Sequence, residues 1–361
     1  MNTIKNIAKL AGVSVGSVSN VLNNKSSVKP QIRNTILQII NDTGYIPNNK
    51  ARALARRTKN AGNNLTRQVG ILFPVSLHIF SNPYFGLILE GLRETLIASQ
   101  FSIAFMYSFN EMEDPFIRAK IFDHEQYDGI IILGAIEAKK LASLRQYYQH
   151  LVNIYNYQQD EIDSVCPDRI PGCMSAMQYL IDHGHREFFF SGGYKTEPAE
   201  FDKERLDAFF AAHKKNHLEL RKDHILAYGN EKKFHEMSIA TPQAEMDNAL
   251  IDFGYKKAID VLTLRRGKCA VFCHNDYIAC GMLRYFNKAN IAVPEEIAVL
   301  GYNDDAVCTI CNPPLSTIAV PKKELGIIGA KHFINSLKLN DKSEMPVRIT
   351  VNTYFLRRAS C

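Results

Sequence analysis

Short apolar runs separated by segments of helical length fill the chain from Gln68 onward, and this alternation limits the folds open to it. The first runs are VGILFPV at Val69–Val75, FSIAFMY at Phe101–Tyr107, YDGIIILG at Tyr127–Gly134 and LVNIY at Leu151–Tyr155. Strands that are apolar on both faces are typical of parallel sheets covered by helices on either side. The pattern therefore predicts an α/β fold, with a helix at Tyr84–Ser99 and one before each of the last two strands.

A second series of strands and helices follows the first. Strands are expected at Glu187–Ser191, His224–Tyr228, Cys269–His274, Ile297–Tyr302, Ser316–Val320 and near Val347–Leu356. Helices are expected at Ile170–His183 and Glu204–Lys215, somewhere within Gln243–Leu264, at Ile278–Ala289 and from Lys322 to about Leu337. A single sheet of that width is uncommon, because wide twisted sheets tend to split. We therefore expect two doubly wound parallel-sheet lobes.

The composition is that of a soluble, folded protein. The chain has 361 residues, more than one hydrophobic core usually organises, and 46% of them are hydrophobic against 22% charged. No apolar run approaches the ~20 residues of a membrane span, and the N-terminal segment lacks the apolar stretch of a signal peptide. We expect a cytoplasmic protein with no membrane partner, whose eight cysteines are reduced.

Positive charge is concentrated in the first 67 residues. This segment contains eleven Lys or Arg and a single acid, Asp42, for a net charge of +10, although the whole chain carries only +6. The rest of the chain is therefore slightly acidic. A basic segment on an acidic body is typical of proteins that bind a polyanion such as nucleic acid.

Within the basic segment, Ile4–Leu22 (IKNIAKLAGVSVGSVSNVL) has the pattern of two short helices joined by a sharp turn. Gly12 permits the positive φ angle of a tight turn, and Ser14 is a suitable N-cap for the second helix. The pattern predicts a helix-turn-helix whose second helix presents Val15, Gly16, Ser17 and Asn20 to a DNA major groove. The alternative is a small helical hairpin with a basic surface.

The remainder of the basic segment predicts one further helix and a connection. Pro30 is expected in the first turn of a third helix, which ends at Gly44. Ala51–Arg57 (ARALARR) could form a short basic helix, and Lys59–Arg67 (KNAGNNLTR) has the composition of a flexible linker.

Signatures of enzymes and metal sites are scarce. The chain contains no GxGxxG, P-loop, GxSxG or HExxH motif. Cys308 and Cys311 form a CxxC, but a zinc site normally needs a second such pair, and neighbouring acids such as Asp304 and Asp305 are more often turn formers than a catalytic pair. We expect no enzymatic activity, no catalytic residue, no metal and no cofactor.

Ten short motifs, in a fixed order, resemble signatures of the bacterial LacI/GalR repressors over nearly the whole chain. They are TIKNIAKLAGVSVGSVSNVLNN at Thr3–Asn24, GYIPN at Gly44–Asn48, SNPYF at Ser81–Phe85, YDGIII at Tyr127–Ile132, HGHREFFFSG at His183–Gly192, RLDAF at Arg205–Phe209, FCHNDYIACGMLR at Phe272–Arg284, VPEEIAVLGYNDD at Val293–Asp305, PPLSTI at Pro313–Ile318 and FLRRAS at Phe355–Ser360. Each motif alone is modest, but ten in the correct order are highly specific.

The resemblance implies a helix-turn-helix head at residues 1–47, a hinge helix and linker at 48–67, and an effector-binding and dimerisation core at 68–361 like that of periplasmic sugar-binding proteins. In that fold the chain crosses three times between two lobes. We place one lobe at about residues 68–164 plus 296–321 and the other at 165–295 plus 322–361. The effector would bind in the cleft, beyond the carboxyl ends of the strands.

The resemblance also implies a set of residues that contact DNA. They are Thr3, Ser14, Val15, Gly16, Ser17, Asn20, Asn23 and Lys29 in the head and Asn48, Ala51 and Leu54 in the hinge. Asn20 takes a place where the family often has Arg, which would favour adenine over guanine. Leu54 matches a leucine that wedges between base steps, although it could also be an ordinary apolar residue of a short helix. The link from Leu54 to Gly70 is several residues longer than is usual in the family.

For the effector, the resemblance points to Tyr84, Phe85, Arg205, Asn275 and Asn303. The two aromatic rings could stack on a ligand ring, and Arg205 would offer a forked donor. Asn303 occupies a position that is often Asp in sugar-binding members, so the ligand could be more anionic, or less hydroxylated, than a plain hexose. The alternative for the aromatic and Asn side chains is that they cap loops at strand ends.

Together these features predict a transcription repressor controlled by a small metabolite, a sugar or a sugar derivative. We expect a homodimer, since no heptad tail follows Cys361, and two-fold pairing suits a pseudo-palindromic double-stranded operator. The alternative is a cytoplasmic solute-binding or sugar-processing protein with no role at DNA.

Overall fold

The computed structural model describes residues 3–22, 28–43, 65–74, 79, 82–155, 161–192, 200–227, 242–339 and 345–361. The chain divides into two compact units, Met1–Thr66 and Arg67–Cys361. The first unit contains the basic segment, and the second contains the alternating strands and helices. None of the helices within the described ranges is long and apolar enough to cross a membrane.

The N-terminal unit is a small helical domain. Its described helices are α1 (Ile4–Leu10), α2 (Val15–Leu22) and α3 (Pro30–Thr43). A common core holds them together, formed by Ile7, Ala8, Val18, Val21 and Ile36. Pro30 opens the third helix as expected, because proline's missing N–H is not needed in a first turn.

The turn between α1 and α2 has the geometry predicted for it. Gly12 has a φ of +65°, in the left-handed region that glycine adopts without steric cost. Ser14 Oγ accepts a hydrogen bond from the backbone N–H of Ser17 at 3.1 Å, and Thr3 Oγ1 caps α1 in the same way from Asn6 at 3.3 Å. The helix-turn-helix predicted at Ile4–Leu22 is confirmed. The predicted C-terminal Gly44, the short basic helix at Ala51–Arg57 and the segment at 59–64 lie outside the described residues.

The larger unit alternates strands and helices as the sequence predicts. Its helices are α4 (Pro83–Ala98), α5 (Pro115–Ile121), α6 (Ala138–Arg145), α7 (Ile170–Asp182), α8 (Glu200–Lys215), α9 (Gln243–Leu264), α10 (Asp276–Lys288), α11 (Val307–Ile310) and α12 (Lys322–Leu339), with short 3-10 turns at Glu111–Glu113 and Lys222–His224. Its strands are β1 (Gln68–Phe73), β2 (Ser102–Ser108), β3 (Gly129–Leu133), β4 (Leu151–Ile154), β5 (Asp163–Asp168), β6 (Glu187–Ser191), β7 (Ile225–Leu226), β8 (Cys269–Cys273), β9 (Ile297–Asn303), β10 (Ser316–Ala319), β11 (Arg348–Asn352) and β12 (Tyr354–Leu356).

These strands form two six-stranded sheets, which define two lobes. Lobe 1 has the order β11-β5-β4-β3-β1-β2 and is parallel throughout. Lobe 2 has the order β12-β10-β9-β8-β6-β7 and is parallel except for β12, which runs antiparallel to β10. The predicted α/β class with two parallel-sheet lobes is confirmed.

The assignment of segments to lobes was wrong in part. β9 and β10 pair with β8 in lobe 2, so residues 296–321 do not belong to lobe 1. Conversely, β5 and β11 pair with each other in lobe 1, and α12 packs against α4 and β4 of that lobe. The chain does cross three times, but at Arg169, at Pro321 and at Thr353.

The crossing at Thr353 divides what the sequence suggests is one strand near Val347–Leu356. β11 ends at Asn352 in lobe 1, and β12 begins at Tyr354 in lobe 2. Thr353 joins the first and third crossings, because both its N–H and its Oγ1 donate to the backbone carbonyl of Asp168, at 3.0 and 2.8 Å. Side-chain alternation alone does not reveal such a change of sheet.

Two helices of lobe 1, α4 and α12, cross closely at paired glycines. A Cβ at Gly91 would lie 2.1 Å from the carbonyl oxygen of Lys323, and one at Gly326 would lie 2.0 Å from that of Ile88. Any side chain at these positions would therefore push the helices apart. The close crossing sets the start of α12 beside the middle of α4, from where the Lys322 side chain reaches Tyr84 in the first turn of α4.

Candidate functional site

The carboxyl ends of the central strands lie where ligands bind in doubly wound sheets, at the point where the strand order reverses. In lobe 2 this point lies between β6 and β8. There the backbone N–H of His274, just after β8, donates to the carbonyl of Ser191 at 2.8 Å. The corresponding point of lobe 1 lies between β1 and β3.

Lobe 1 contributes an aromatic group. Asn82 Oδ1 accepts from the backbone N–H of Tyr84 at 2.9 Å, which starts α4 and fixes the Tyr84 and Phe85 side chains in its first turn. Their rings and that of Tyr155, which follows β4, meet edge to face with centroids 5.2–5.3 Å apart. Tyr84 and Phe85 are 7% and 5% exposed, so both are packed inside the protein and not at an open mouth.

Lobe 2 contributes Arg205 from α8. Its Nη1 donates to the carbonyl oxygen of His274, and its Nη2 donates to Asn303 Oδ1 at 3.3 Å. The guanidinium carbon lies 4.1 Å from the ring centroid of Tyr302, the contact expected of a cation over an aromatic face. The side chain is only 4% exposed.

Arg169, at the first crossing, lies between the two groups. Its guanidinium carbon is 5.8 Å from the ring centroid of Tyr155. Its Nη1 donates to the carboxylate of Glu204, which also lies 3.9 Å from Nη2 of Arg348. We call Tyr84, Tyr155, Tyr302, Arg169 and Arg205 the tyrosine–arginine cluster.

Several polar atoms of this cluster are buried without a hydrogen-bond partner among the described residues. They are the hydroxyls of Tyr84 and Tyr302 and the Nε atoms of Arg169 and Arg205. Burial raises the pKa of Tyr84 well above its usual value and that of Tyr302 to about 12, so both phenols are neutral. Unpartnered buried donors are costly in a native protein, and a ligand oxygen would satisfy them.

Two acidic side chains near the cleft form ion pairs with basic side chains of the same protein. Lys322 Nζ lies 2.7 Å from Asp305 Oδ1 and 4.9 Å from the ring centroid of Tyr84, so it joins the start of α12 to the end of β9. Arg358 Nη2 donates to Asp304 Oδ1 at 2.7 Å. The adjacent acids at 304 and 305 are thus structural, as the sequence suggested.

Asp276 lies beneath this edge and is fully buried. It accepts from Thr317 Oγ1 at 2.6 Å and from the backbone N–H of Asp305 at 2.8 Å. A Cβ at Gly301 would lie 2.1 Å from its Oδ1, so β9 passes directly over it. Burial, reinforced by the charge of Asp305, raises the pKa of Asp276 to about 7.

The structure brings together four of the five predicted effector residues: Tyr84, Phe85 and Arg205 directly, and Asn303 as a partner of Arg205. Asn275 differs, because its Oδ1 accepts from the backbone N–H of Ile278 at 2.9 Å and caps α10. This hydrogen bond gives Asn275 a structural role in the helix, whichever ligand is bound.

Sequence reasoning missed Tyr155, Arg169, Tyr302 and Lys322. Tyr155 and Tyr302 do end predicted strands, so position at a carboxyl end was a usable signal for both. Arg169 lies beside a crossing between the lobes that was placed incorrectly from the sequence. The contacts of Lys322 depend on how α12 packs against α4, which is distant in sequence.

On the helical unit, the first turn of α2 is accessible. Val15 is 42% exposed, Gly16 is exposed, and Ser17 Oγ lies 3.0 Å from the capping Ser14 Oγ. Asn20 is half-buried, whereas Thr3 and Lys29 are exposed. The predicted contacts Asn23, Asn48, Ala51 and Leu54 lie outside the described residues.

The two cysteines of the CxxC belong to the apolar interior of lobe 2. Cys308 and Cys311 are buried in a cluster with Cys269 and Cys273. A hydrogen bond with Cys311 lowers the pKa of the Cys280 thiol to about 7. No group of three or more potential metal-ligating side chains assembles in the part of the chain that the structure describes.

A helix-turn-helix unit and a two-lobed core with polar groups at its strand ends define a DNA-binding regulator with a ligand-binding domain. Residues 3–48 match the bacterial regulatory proteins of the lacI family, and residues 177–361, just over half of the chain, match the periplasmic binding protein-like domain. The chain belongs to the LacI family of bacterial regulatory proteins.

Individual relatives agree with this placement. The chain is 27% identical over 343 residues to the NTD biosynthesis operon regulator NtdR of Bacillus subtilis (strain 168), covering 94% of each chain. It is 26% identical over 363 residues to the transcriptional repressor PurR of Pasteurella multocida (strain Pm70), covering 100% of this chain and 98% of PurR. The protein is a DNA-binding transcriptional repressor of this family, whose relatives are regulators and not enzymes.

Solved structures show the same fold. A complex of the transcriptional regulator CelR with cellobiose superposes with a TM-score of 0.63 at 22% identity, covering 100% of both chains. The lac repressor dimer bound to operator and the anti-inducer ONPF superposes with a TM-score of 0.68 at 18% identity, covering 99% of this chain and 98% of that one.

Proposed function

We propose that this repressor's affinity for its operator is controlled by a small metabolite, a sugar or sugar derivative, held between the lobes by the tyrosine–arginine cluster. The observation that carries the proposal is that both lobes contribute buried, unpartnered polar atoms to one cluster. A ligand that satisfies atoms from both lobes favours the state in which the lobes are together. The cellobiose in the CelR complex supports a sugar-like ligand.

The coupling to DNA follows from linkage. If the effector favours one arrangement of the lobes and that arrangement also favours DNA, the two ligands share a coupling free energy. The proposed division is a DNA-binding head at 1–47, a hinge at 48–67 and a core at 68–361, with the lobes bounded by the crossings at Arg169, Pro321 and Thr353. Leu54, Ala51 and Asn48 are the proposed hinge contacts in the minor groove.

A dimer with two heads on a pseudo-palindromic operator completes the proposal, and the lac repressor dimer on its operator supports it. In the head, the start of α2 enters the major groove and reads it through Ser14, Val15, Gly16, Ser17 and Asn20. The phosphate backbone of the DNA is contacted by Thr3, Asn23 and Lys29. Such phosphate contacts make binding steeply salt-dependent.

Gly16→Glu tests the head without disturbing its fold. A Cβ at Gly16 meets only Ser14 Oγ, at 3.6 Å, and an acid in a first helical turn is favourable. The variant should therefore be as stable as the wild type in thermal unfolding, yet lose DNA affinity because the carboxylate faces phosphates. We expect a loss of about tenfold or more.

The measurement is a gel shift on DNA flanking the gene, at several salt concentrations, with and without candidate sugars. Gln38→Glu on the exposed face of α3 is the matched control and should bind normally. Equal losses in the two variants would mean that only net charge matters. If the wild-type protein causes no sequence-dependent shift in DNA mobility, the proposal is wrong.

A further inference from the structure

Arg205 has no carboxylate partner among the described residues, although it is buried. Its described contacts are an amide oxygen, a carbonyl oxygen, the aromatic ring of Tyr302 and, at 3.4 Å, the ring nitrogens of His274. The nearby acids Asp304 and Asp305 are already engaged, by Arg358 and Lys322. A buried cation without a counter-charge is unfavourable, since it has lost water without gaining an anion.

One side of the guanidinium, formed by Nε and Nη2, has few partners among the described residues. Nη1 is used by the His274 carbonyl, whereas the buried Nε has no partner there and Nη2 has the 3.3 Å contact with Asn303. Nε and Nη2 together form the side-on fork of an arginine. This fork matches the spacing of two oxygens of a carboxylate or phosphate.

The residue at position 303 determines whether the chain itself supplies a negative charge to Arg205. An Asp at this position would set a negative charge about 3.3 Å from Nη2 and neutralise Arg205 permanently. The amide instead donates from Nδ2 to Asp305 Oδ2 at 3.3 Å and offers Arg205 only a neutral oxygen. The cation is left available.

The rest of the cluster favours the same kind of ligand. Arg169 is buried beside Glu204, and its Nε has no hydrogen-bond partner among the described residues. The neutral hydroxyls of Tyr84 and Tyr302 can donate to further ligand oxygens. The buried atoms that lack partners here are therefore mainly hydrogen-bond donors.

We propose that the effector of this repressor carries an anionic group, a carboxylate or a phosphate, that binds the side-on fork of Arg205. The inference rests on the proposed function, because it names the ligand class of the same cleft. The aromatic group of Tyr84, Phe85 and Tyr155 would then contact the less polar part of the molecule.

Asn303→Asp is the sharpest variant, because it supplies the missing counter-charge without removing Arg205. Asn290→Asp is its matched control: Asn290 also has a left-handed φ, +54° against +113° at Asn303, but it is exposed after α10. Arg205→Gln removes the cation, and Arg265→Gln removes one from the opposite edge of lobe 2.

Full-length proteins are titrated by calorimetry and thermal shift with D-glucose, D-glucuronate, D-glucose 6-phosphate and inorganic phosphate at equal ionic strength. We expect anionic members to bind at least about tenfold more tightly than glucose. N303D and R205Q should abolish that preference, and N290D and R265Q should keep it. Comparison of glucuronate with the phosphates distinguishes the two anions.

Binding is the readout for N303D, because an Asp at 303 would gain Arg205 but would also face Asp305 Oδ2 across the present 3.3 Å contact. Binding of glucose by the wild type as tight as that of its anions would overturn the proposal. An anion preference that survives in R205Q would overturn it as well.

Failure of the anion proposal and failure of the proposed function give different results. If the protein binds its operator specifically and this binding responds to a neutral sugar, the proposal of an anionic effector is wrong and the proposed regulatory function stands. If the wild-type protein binds glucose 6-phosphate through Arg205 but shows no specific binding to DNA, the anion site stands and the proposed regulatory function is wrong.

Discussion

The two edges of lobe 2 hold their charges in different ways. At the amino edge, where the strands begin, Arg265 donates to Glu296 at 2.9 Å and Arg221 lies 3.7 Å from Glu187. At the carboxyl edge, the buried Arg205 contacts neutral oxygens, the ring of Tyr302 and the ring nitrogens of His274. Among the described residues, arginines at the amino edge thus lie beside carboxylates, whereas Arg205 at the carboxyl edge does not.

The difference separates scaffold from site. Exposed ion pairs contribute little to stability, because water stabilises each charged group almost as well as its partner does. Buried charges at the cleft edge have no such alternative, so their partners decide both stability and recognition. Substitutions at the two edges should therefore differ in size and in pH dependence.

The largest effect is expected for Lys322→Met at the cleft edge. Lys322 and Asp305 have side chains only 4% and 11% exposed and lie 2.7 Å apart, so the substitution leaves a buried carboxylate unpaired. The free energy of unfolding in urea should fall by about 3–5 kcal/mol. The neighbouring Lys323→Met, whose side chain is 41% exposed, should cause no measurable loss. Similar losses in both variants would show that burial does not set the contribution.

An intermediate, pH-dependent effect is expected for Asp276→Asn. The folded pKa of Asp276 is raised from 3.8 to about 7 by burial, so its protonated form favours folding. The stability it contributes is complete below about pH 4 and is lost as the pH rises towards 7, at up to about 1.4 kcal/mol per pH unit. Unfolding curves of the variant should lose this slope.

Glu296→Gln at the amino edge gives the opposite sign. Arg265 lowers the pKa of Glu296, so its stabilisation is present above the unfolded pKa and is lost as the pH falls. Parallel pH profiles for the two variants would contradict the assignment of Asp276 as the buried, protonated acid.

The smallest effect is expected for Arg265→Gln. Its ion pair with Glu296 has side chains 21% and 45% exposed, so the loss of stability should be small and should disappear at high salt. Chemical unfolding at low and high ionic strength measures it. A large, salt-independent loss would make the amino edge as important as the cleft.

The sequence was a good guide to local elements and a poor guide to which sheet they join. β6 and α9 occur at the predicted Glu187–Ser191 and Gln243–Leu264. β5, with sequence DSVCPD, was not predicted, because Asp and Pro are unusual in strands and its burial comes from β4 and β11. The change of sheet at Thr353 likewise depends on pairing that no local pattern encodes.

The site was predictable where a residue type alone suggests a role. Arg205 and Tyr84 carry distinctive side chains within family-like motifs, and both join the cluster. Asn275 was ambiguous, because an Asn after a strand either binds a ligand or caps the next helix, and here it caps α10. That no carboxylate among the described residues pairs with Arg205 follows only from the distances among its neighbours.

The three crossings limit how the lobes can move. Those at Arg169 and Thr353 are hydrogen-bonded together through the Asp168 carbonyl, so they cannot slide past one another without breaking those bonds. With the third connection at Pro321, three segments of chain join the lobes, and two of them move as one. A ligand that contacts both lobes therefore acts on a joint that the chain has already restrained.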